Sequence, residues 1–280
     1  MLIFTQKVAL KKHLNSSSIQ NSIGFVPTMG ALHEGHLSLL KASVSENNTT
    51  VISIFINPTQ FNNPSDLEKY PRTFDNDVQK IKTVSDQIIL FAPDIRDIYG
   101  DKMQSETFDF DGLENQMEGK HRLSHFDGVG TIVKKLFEIV NPTNAYFGEK
   151  DFQQLQIIKK LVQKQDLKVK IIQVPIFREN NGLAMSSRNE RLSISERKDA
   201  ALIYETLLEV KKRFKNKSVV EIQNSVALVF AKHANFRLEY FEIADEVTLH
   251  SCIRKSKNIT YRAFIAVYVN EVRLIDTLAL

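Results

Sequence analysis

The sequence predicts an α/β fold, with a Rossmann-like parallel sheet in an N-terminal domain and a smaller α+β domain after it. Strand-like and helical segments alternate up to about residue 175, and this alternation is typical of a parallel sheet with right-handed crossovers. After Pro175, helical stretches are followed by strand-like segments. A chain of 280 residues is long enough for one large domain or two unequal ones. We therefore expect one domain over residues 1–175 and a lid domain over residues 176–280.

The predicted strands of the first domain are short and apolar. Residues 51–56 form a nearly continuous β-branched run, which is typical of a parallel strand buried on both faces. Further strands are expected over residues 22–26, 87–91, 144–147 and 168–174, and helices over 35–44, 73–84, 129–140 and 151–165. Parallel sheets bind ligands at the carboxyl ends of their strands, so a substrate site is expected in the loops that follow these strands.

The second domain is predicted to be a smaller α+β domain, in which helices are followed by strand-like segments. Helices are expected over residues 195–214 and 218–233, and strands over 237–243, 260–269 and 272–278. Asn270-Glu271 is expected to turn the last two strands into a hairpin, although the usual glycine is missing.

The composition excludes several classes of protein. The formal net charge of +4 suits anionic small substrates, but it is a weak argument for nucleic-acid binding. Cys252 is the single cysteine, so no intramolecular disulfide is possible and a reducing compartment is expected. No signal pattern and no apolar run of about 18 residues is present. We expect a cytoplasmic protein that binds neither nucleic acid nor a membrane.

The first cluster of residues suited to catalysis follows the strand predicted over residues 22–26. His33 and His36 fall at the start of a predicted helix, and Gly30 and Gly35 allow a ligand to approach the backbone closely. Helix N-termini attract phosphate oxygens, and imidazoles there can stabilise charge that develops on phosphate. Two alternatives are a pair of surface histidines and a transition-metal site. The metal interpretation is weak because no further ligand motif has a familiar spacing, so no protein metal site is predicted.

Two further segments offer cations and hydroxyls. In Gly148-Glu149-Lys150-Asp151, a strand, a glycine and a helix start recur, and Lys150 is a compact cation for phosphate oxygens. The alternative role of Asp151 is a helix cap. Met185-Ser186-Ser187-Arg188 provides two hydroxyls and a guanidinium, a set that suits triphosphate binding by a mobile loop. Its alternative is a helix entry capped by serine.

Two glutamines are candidates for binding the second substrate. Gln60 lies just past the strand over residues 51–56, and its amide suits hydroxyls and a carboxylate. Its alternative is a loop-capping amide. Gln154 lies in the first turn of the helix after Lys150, where it can point toward the same crevice or into solvent.

Five charged or aromatic residues are lesser candidates. Asp75 and Asp77 are expected either to help hold Mg²⁺ through water or to be ordinary acids at a helix N-terminus. Arg122, Tyr70 and Arg72 are either direct ligands or residues of the surface and the packing.

Six segments together resemble the pantothenate synthetase family of the H-x-G-H (HIGH-motif) nucleotidyltransferase superfamily. One such segment is weak evidence, but six in the order of the family are specific. They span most of residues 23–190 and read Val26 to His36, Phe55 to Phe61, Tyr70 to Thr73, His125 to Val129, Phe147 to Gln154 and Met185 to Asn189.

The resemblance implies a ligase of pantothenate biosynthesis. ATP, with Mg²⁺, activates pantoate as pantoyl adenylate, and β-alanine then attacks this intermediate to give pantothenate and AMP. A homodimer formed through the N-terminal domain is also implied. The rivals are an enzyme that adenylylates a phosphate instead of a carboxylate and a non-catalytic nucleotide-binding module. The presence of both histidines and Lys150 argues against the second rival.

The resemblance also implies a role for each matched residue. His36, His33 and Lys150 are the implied catalytic residues, with His36 as the acid. Gln60 and Gln154 are implied to bind pantoate, and Gln60 also β-alanine. The implied ATP-binding residues are Met29, Gly30, Ala31, Leu32, His33, Glu34, Gly35, His36, Gly148, Glu149, Lys150, Asp151, Phe177, Met185, Ser186, Ser187 and Arg188.

Three residues depart from the family pattern. Where members usually read Arg-Pro-Gly-His-Phe, this chain has Leu123 and Ser124 in place of proline and glycine, which puts the role of Arg122 in question. Phe177 replaces a smaller β-branched residue. A backbone contact to adenine tolerates this change, whereas a side-chain contact would be altered by it.

Overall fold

A computed structural model describes residues 1–16 and 22–280. The described chain divides into two compact units. The first contains Met1–Glu114, Gly119–Gly148 and Gln154–Val174, and the second contains Asn115–Glu118, Glu149–Gln153 and Pro175–Leu280. The segments 115–118 and 149–153 thus group with the C-terminal residues, although the sequence pattern places them among the elements of the first region.

The described helices and strands alternate through most of the first unit. The strands are β1 (Leu2–Phe4), β2 (Ile23–Thr28), β3 (Thr49–Ile54), β4 (Ile89–Phe91), β5 (Asn144–Gly148) and β6 (Lys170–Val174). The helices of the same stretch of chain are α1 (Lys7–Leu14), α2 (Glu34–Glu46), α3 (Pro64–Glu68), α4 (Phe74–Val84), α5 (Ile95–Tyr99), α6 (Met117–His121), α7 (His125–Val140) and α8 (Phe152–Lys164).

The six strands form one parallel sheet in the order β1-β4-β3-β2-β5-β6. In β3, the consecutive residues Val51 and Ile52 are both fully buried, so both faces of the sheet are covered. The predicted parallel sheet is therefore confirmed. The periodicity did not predict β1, which is an edge strand of only three residues.

Helix α7 is the most buried helix of the first unit and starts four residues before the predicted boundary. It begins at His125 because His125 and Phe126 already face the core. It ends at Val140. The next residue, Asn141, caps the helix with a φ of 48°, a left-handed conformation that asparagine tolerates, and Pro142 then prevents a continuation.

The second unit combines a three-stranded antiparallel sheet with helices. Its sheet has the order β7-β8-β9, and its core comes from apolar residues of the sheet and the helices, among them Ile265, Val267, Leu207 and Ile222. The elements are α9 (Ile194–Asp199), α10 (Ala201–Phe214), α11 (Val219–Ala231), β7 (Phe236–Asp245), β8 (Tyr261–Val269) and β9 (Val272–Ala279).

Two details of the second unit refine the sequence expectations. The helix predicted over residues 195–214 is divided at the buried Ala200, whose ψ of −15° departs from helical geometry. The predicted hairpin of β8 and β9 is present, and Asn270 supplies the positive φ of 48° that glycine usually provides. Over the described ranges, 1–16 and 22–280, no helix is both long and apolar enough to cross a membrane.

Candidate active site

The segment between β2 and α2 ends at His33, and the second predicted catalytic histidine, His36, lies in the first turn of α2. Gly30 has a φ of 80°, and a Cβ at this position would lie 3.0 Å from the side chain of Ile54, so a side chain would be both strained and crowded. Ala31 also has a positive φ, of 50°. His33 is the extended residue directly before α2, as the sequence predicted for a helix start.

The rings of His33 and His36 are adjacent, with 4.0 Å between their centroids. The backbone N–H of His33 donates to Nδ1 of His36 at 3.3 Å. A nitrogen that accepts a hydrogen bond carries no proton, so the neutral His36 ring has its proton on Nε2. His36 therefore offers an N–H donor on the side of the ring opposite to its backbone contact, which suits the stabilisation of a developing negative charge.

Asp77 has a role that neither sequence interpretation anticipated. Its carboxylate accepts the backbone N–H groups of Ala31 at 2.9 Å and Leu32 at 2.7 Å, and the hydroxyl of Thr73 donates to it at 3.2 Å. It lies in the first turn of α4, as expected, but it is only 1% exposed. Asp75, by contrast, is exposed in the same turn.

Gln60 ends a short 3-10 helix, Pro58–Gln60, directly after β3. Its Nε2 donates to the sulfur of Met29 at 2.9 Å, and Asn57 donates to its Oε1 at 3.3 Å. The structure thus brings Gln60 and Met29 together at neighbouring strand ends. Tyr99 in turn donates to Oδ1 of Asn57 at 2.6 Å, and burial raises the pKa of Tyr99 above 10.0, which keeps it a donor. Asn57 and Tyr99, which the sequence reasoning did not single out, thus hold the predicted site residue Gln60 through a chain of hydrogen bonds.

The main chain of Gln60 is held by the start of α7. Nδ1 of His125 lies 2.7 Å from the carbonyl oxygen of Gln60, and because that oxygen only accepts, Nδ1 carries the proton. Arg122 donates to the same carbonyl at 3.4 Å. A Cβ on Gly128 would lie 2.5 Å from the carbonyl oxygen of Thr59, so this glycine permits the close approach.

The other candidates of the first unit lie in several different elements. Tyr70 is buried with its ring edge-on to Phe61 at 5.8 Å, so it has a packing role. Arg72 is exposed. Gln154 is half-buried in the first turn of α8, and Gly148 ends β5. Among residues 1–16 and 22–280, no group of three or more His, Cys, Asp or Glu side chains is arranged to hold a metal ion.

In the second unit, Lys150 lies in a 3-10 turn, Glu149–Asp151, and its Nζ is 3.2 Å from Oδ1 of Asp151. Arg262 of β8 packs against this turn. Its guanidinium stacks on the ring of Phe152 at 4.0 Å, and Nη1 lies 4.0 Å from the Glu149 carboxylate. The structure therefore associates Lys150 with the antiparallel sheet.

A hairpin in the second unit leads from Phe177 to the predicted triphosphate loop. The Met185 N–H donates to the carbonyl oxygen of Phe177 at 3.0 Å, and the backbones of Arg178 and Ala184 form an isolated antiparallel β-bridge. Ser186 caps the 3-10 helix Ser187–Arg191 by accepting the N–H of Arg188 at 3.2 Å, which is the capping role left open above. The Phe177 side chain is 40% exposed.

Side-chain pairs hold this hairpin in place. Arg178 makes a bidentate ion pair with the buried Asp276 at 2.6 and 2.9 Å and stacks on Tyr204 at 3.7 Å. Asn189 donates to Glu179 at 2.8 Å and to the Ala184 carbonyl at 3.2 Å. Arg178 and Asp276 carry no local sequence signal, because they are 98 residues apart.

A second ionic cluster of the same unit contains Glu118. Arg273 donates to both oxygens of Glu118 at 2.9 and 2.8 Å, and the Tyr240 hydroxyl donates to Glu118 at 2.8 Å. Burial and the adjacent Glu118 charge raise the pKa of Tyr240 well above 10.0, so the phenol remains a donor. The Glu118 N–H also donates to Oε1 of Gln153 at 2.9 Å.

The sequence of residues 2–279 matches the family model described as pantoate-beta-alanine ligase. The chain belongs to the pantoate-β-alanine ligase family. The pantothenate synthetase of Flavobacterium psychrophilum is 60% identical over 281 residues, with both chains fully covered. That of Christiangramia forsetii is 50% identical, with 100% of this chain and 99% of the relative covered.

Solved structures of the ligase family share the fold. Pantothenate synthetase from Thermus thermophilus has a TM-score of 0.90 at 34% identity, with 99% of each chain covered. The Francisella tularensis ligase, described as complexed with beta-gamma ATP and beta-alanine, has a TM-score of 0.82 at 37% identity, and the match covers 100% of this chain and 97% of the Francisella chain.

The departures of this chain from the ligase pattern are structurally accommodated. Ser124 has a φ of 59°, which explains why glycine is usual there, and serine occupies the position at a cost in backbone strain. Leu123 is 78% exposed, so the loss of proline opens no hole in the core, and the Asn62 amide donates to its carbonyl. Phe177 uses its carbonyl within the hairpin, while its side chain stays partly exposed to solvent.

Proposed function

We propose that this chain condenses pantoate with β-alanine at the expense of ATP, forming pantothenate, AMP and diphosphate. The observation that carries the proposal is the 60% identity to a pantothenate synthetase over the whole length of both chains. The Francisella ligase, described with an ATP compound and β-alanine, supports the same pair of substrates. Adenylylation of a phosphate and a purely regulatory nucleotide module are not the activities for which these relatives are named.

The reaction is proposed to proceed in two balanced steps. A carboxylate oxygen of pantoate attacks the α-phosphorus of ATP, and the bond to the bridging oxygen breaks, so that diphosphate leaves and pantoyl adenylate forms. The amine of β-alanine then attacks the activated carbonyl, loses a proton and displaces AMP. No covalent bond to the protein is needed, so the protein contributes orientation and charge stabilisation.

Each predicted site residue keeps a proposed role in this scheme. His36 donates its Nε2–H to oxygen on the reacting phosphorus, and His33 and Lys150 add positive charge or hydrogen bonds. Gln60 and Gln154 orient pantoate, and Gln60 also contacts β-alanine. The remaining ATP contacts are proposed to come from Met29 to Gly35, Gly148, Glu149, Asp151, Phe177 and Met185 to Arg188.

The side-chain amide of Gln60 supports its proposed role. Its Oε1 and Nε2 already contact Asn57 and Met29, so the rotamer is fixed before any substrate binds. Its carbonyl is held by His125. A glutamine held at both ends loses little conformational entropy when it orients a substrate.

Mg²⁺ is proposed to accompany ATP, bound chiefly by the triphosphate oxygens. Magnesium usually keeps several waters and takes few protein ligands, which agrees with the commitment of the Asp77 carboxylate to backbone amides. When bound, the ion offsets part of the triphosphate charge.

ATP–pyrophosphate exchange tests the function directly. We expect exchange that requires pantoate and does not require β-alanine, because the amine enters only after diphosphate has left. Exchange that proceeds equally without pantoate would contradict carboxylate activation. Replacing His36 by Ala should lower the exchange rate about 100-fold or more, since it removes a donor to the charge that develops in the transition state.

The control for this substitution is His250→Ala, which removes an exposed histidine from the second unit. Its exchange rate should equal that of the unchanged protein. Equal rates for His36→Ala and His250→Ala would remove His36 from the mechanism.

The quaternary and domain assignments stay predictions. A homodimer predicts a solution mass of twice 32.1 kDa, which sedimentation equilibrium measures. The assignment of residues 1–175 to substrate binding and of residues 176–280 to a lid, like the cytoplasmic location, rests on the sequence analysis.

A further inference from the structure

The segment before His33 has a main chain that needs an external anchor. Gly30 and Ala31 both have positive φ, and for Ala31, which has a Cβ, this left-handed conformation is strained. The turn also points two successive N–H groups, those of Ala31 and Leu32, toward the same place. Successive amides of this kind form a concave site for an anion.

Asp77 occupies that anion position within the protein itself. Its two oxygens accept the N–H groups of Ala31 and Leu32 separately, and a third donor is the Thr73 hydroxyl. A carboxylate that is 1% exposed is tolerated only when such donors replace water. Because each oxygen serves a different amide, an asparagine, with one acceptor oxygen, cannot replace it.

Helix α4 holds Leu32 at both of its backbone groups. Lys80, which lies one turn after Asp77 on the same face of the helix, donates from Nζ to the Leu32 carbonyl oxygen at 2.6 Å. The Leu32 N–H is thus bound by the Asp77 carboxylate, and the Leu32 carbonyl is bound by the Lys80 ammonium. The next residue is His33, whose N–H donates to Nδ1 of His36.

We propose that Asp77 is a positioning residue for His33 and His36 and that it is not a ligand of Mg²⁺. The chain of contacts runs from Asp77 to Leu32, from Leu32 to the backbone of His33, and from there to the ring of His36. Its loss displaces the His36 ring and releases the hydrogen bond that selects the Nε2–H tautomer. This proposal rests on the proposed role of His36 in adenylate formation.

The test compares Asp77→Asn with Asp86→Asn. Both substitutions remove one negative charge, but Asp86 is exposed, two residues beyond the end of α4. In pantoate-dependent ATP–pyrophosphate exchange, Asp77→Asn should lower kcat about 100-fold, because small displacements of catalytic groups cost that much, while KM for pantoate stays within about 3-fold. Asp86→Asn should leave both values unchanged.

A magnesium titration separates positioning from metal binding. If Asp77 positions the histidines, the Mg²⁺ concentration for half-maximal exchange is the same for Asp77→Asn and the unchanged protein, and excess Mg²⁺ restores nothing. Recovery of kcat in excess Mg²⁺ would overturn the proposal. So would a kcat equal to that of Asp86→Asn, or a loss that matches only the unfolded fraction measured by circular dichroism.

Lys80→Met keeps the proposal testable if Asp77→Asn does not fold. It removes the contact to the Leu32 carbonyl and retains the carboxylate, so kcat should fall about 10-fold with the same unchanged KM for pantoate. An unaltered kcat would overturn the chain of contacts. If the unchanged protein shows no pantoate-dependent exchange, it is the proposed function that fails, independently of Asp77.

Discussion

The two units hold their predicted site residues by different means. In the first unit, a buried carboxylate binds the main chain: Asp77 accepts the amides of Ala31 and Leu32 just before the histidines. In the second unit, side chains bind side chains: Arg178 pairs with Asp276 beside the hairpin, and Arg262 stacks on Phe152 beside Lys150.

This difference has a consequence for how each unit responds to substitution. A carboxylate bound to backbone amides tolerates changes in the anchored side chains, because every residue except proline offers the same N–H group. A pair of side chains depends on both partners, and the loss of one leaves the other buried without its charge partner. We therefore expect single substitutions of anchor residues to reduce catalysis in the first unit and stability in the second.

The largest expected effect on stability comes from Arg178→Met. It leaves the buried Asp276 carboxylate without its bidentate partner, so the free energy of unfolding should fall by about 3–5 kcal/mol. Urea denaturation followed by circular dichroism measures it. The control is Arg237→Met, which also removes an arginine stacked on a ring, that of Tyr268 at 3.9 Å, but at an exposed position. Similar losses for both variants would contradict the importance of the buried pair.

A smaller effect is expected from Ser124→Gly in the first unit. Glycine relieves the left-handed strain at a φ of 59°, but it also gains freedom in the unfolded chain, so a net stabilisation of about 1 kcal/mol or less is expected. A rise in the urea midpoint would show it. Ser124→Ala keeps the strain and should give no increase. Stabilisation by alanine as well would indicate that the hydroxyl, and not the backbone, is unfavourable.

The smallest effect concerns an exposed carboxylate that binds one backbone amide in the second unit. Glu221 accepts the Ser218 N–H at the start of α11, and this bond, together with the Ser218 hydroxyl and Lys217, lowers the pKa of Glu221 from 4.5 to about 2. A lowered pKa of an acid means that its stabilisation is present above pH 4.5 and is lost as the pH falls toward 2.

Glu221→Gln tests how much the charge of Glu221 contributes to the stability of the protein. The variant should be less stable than the unchanged protein at neutral pH, and the difference should disappear as the pH falls from 4.5 to 2. Urea denaturation at several pH values measures it, with Glu209→Gln, an exposed glutamate of α10, as the control. A difference that persists at pH 2 would mean that the charge of Glu221 is not its source.

Much of the fold was predictable because the relevant signals are local. The β-branched run of β3 identified a buried parallel strand, and Asn141-Pro142 identified the end of α7. The six motifs identified the ligase family, which the match over residues 2–279 confirms. The contacts of Gln60 were only partly predictable from the sequence. Asn57 is three residues away from Gln60, whereas His125 is 65 residues away, beyond the range of any local pattern.

The sequence by itself determined the fold class, the family and the positions of His33, His36 and Lys150 at or near the starts of helices. These features follow from local periodicity and from motifs whose residues are neighbours along the chain. Only the tertiary structure decided that Asp77 binds Ala31 and Leu32, that Arg178 pairs with Asp276, and that segment 149–153 groups with the antiparallel sheet. The physical reason is that these contacts join residues far apart in the chain, and packing of the whole sheet determines which of many possible partners meet.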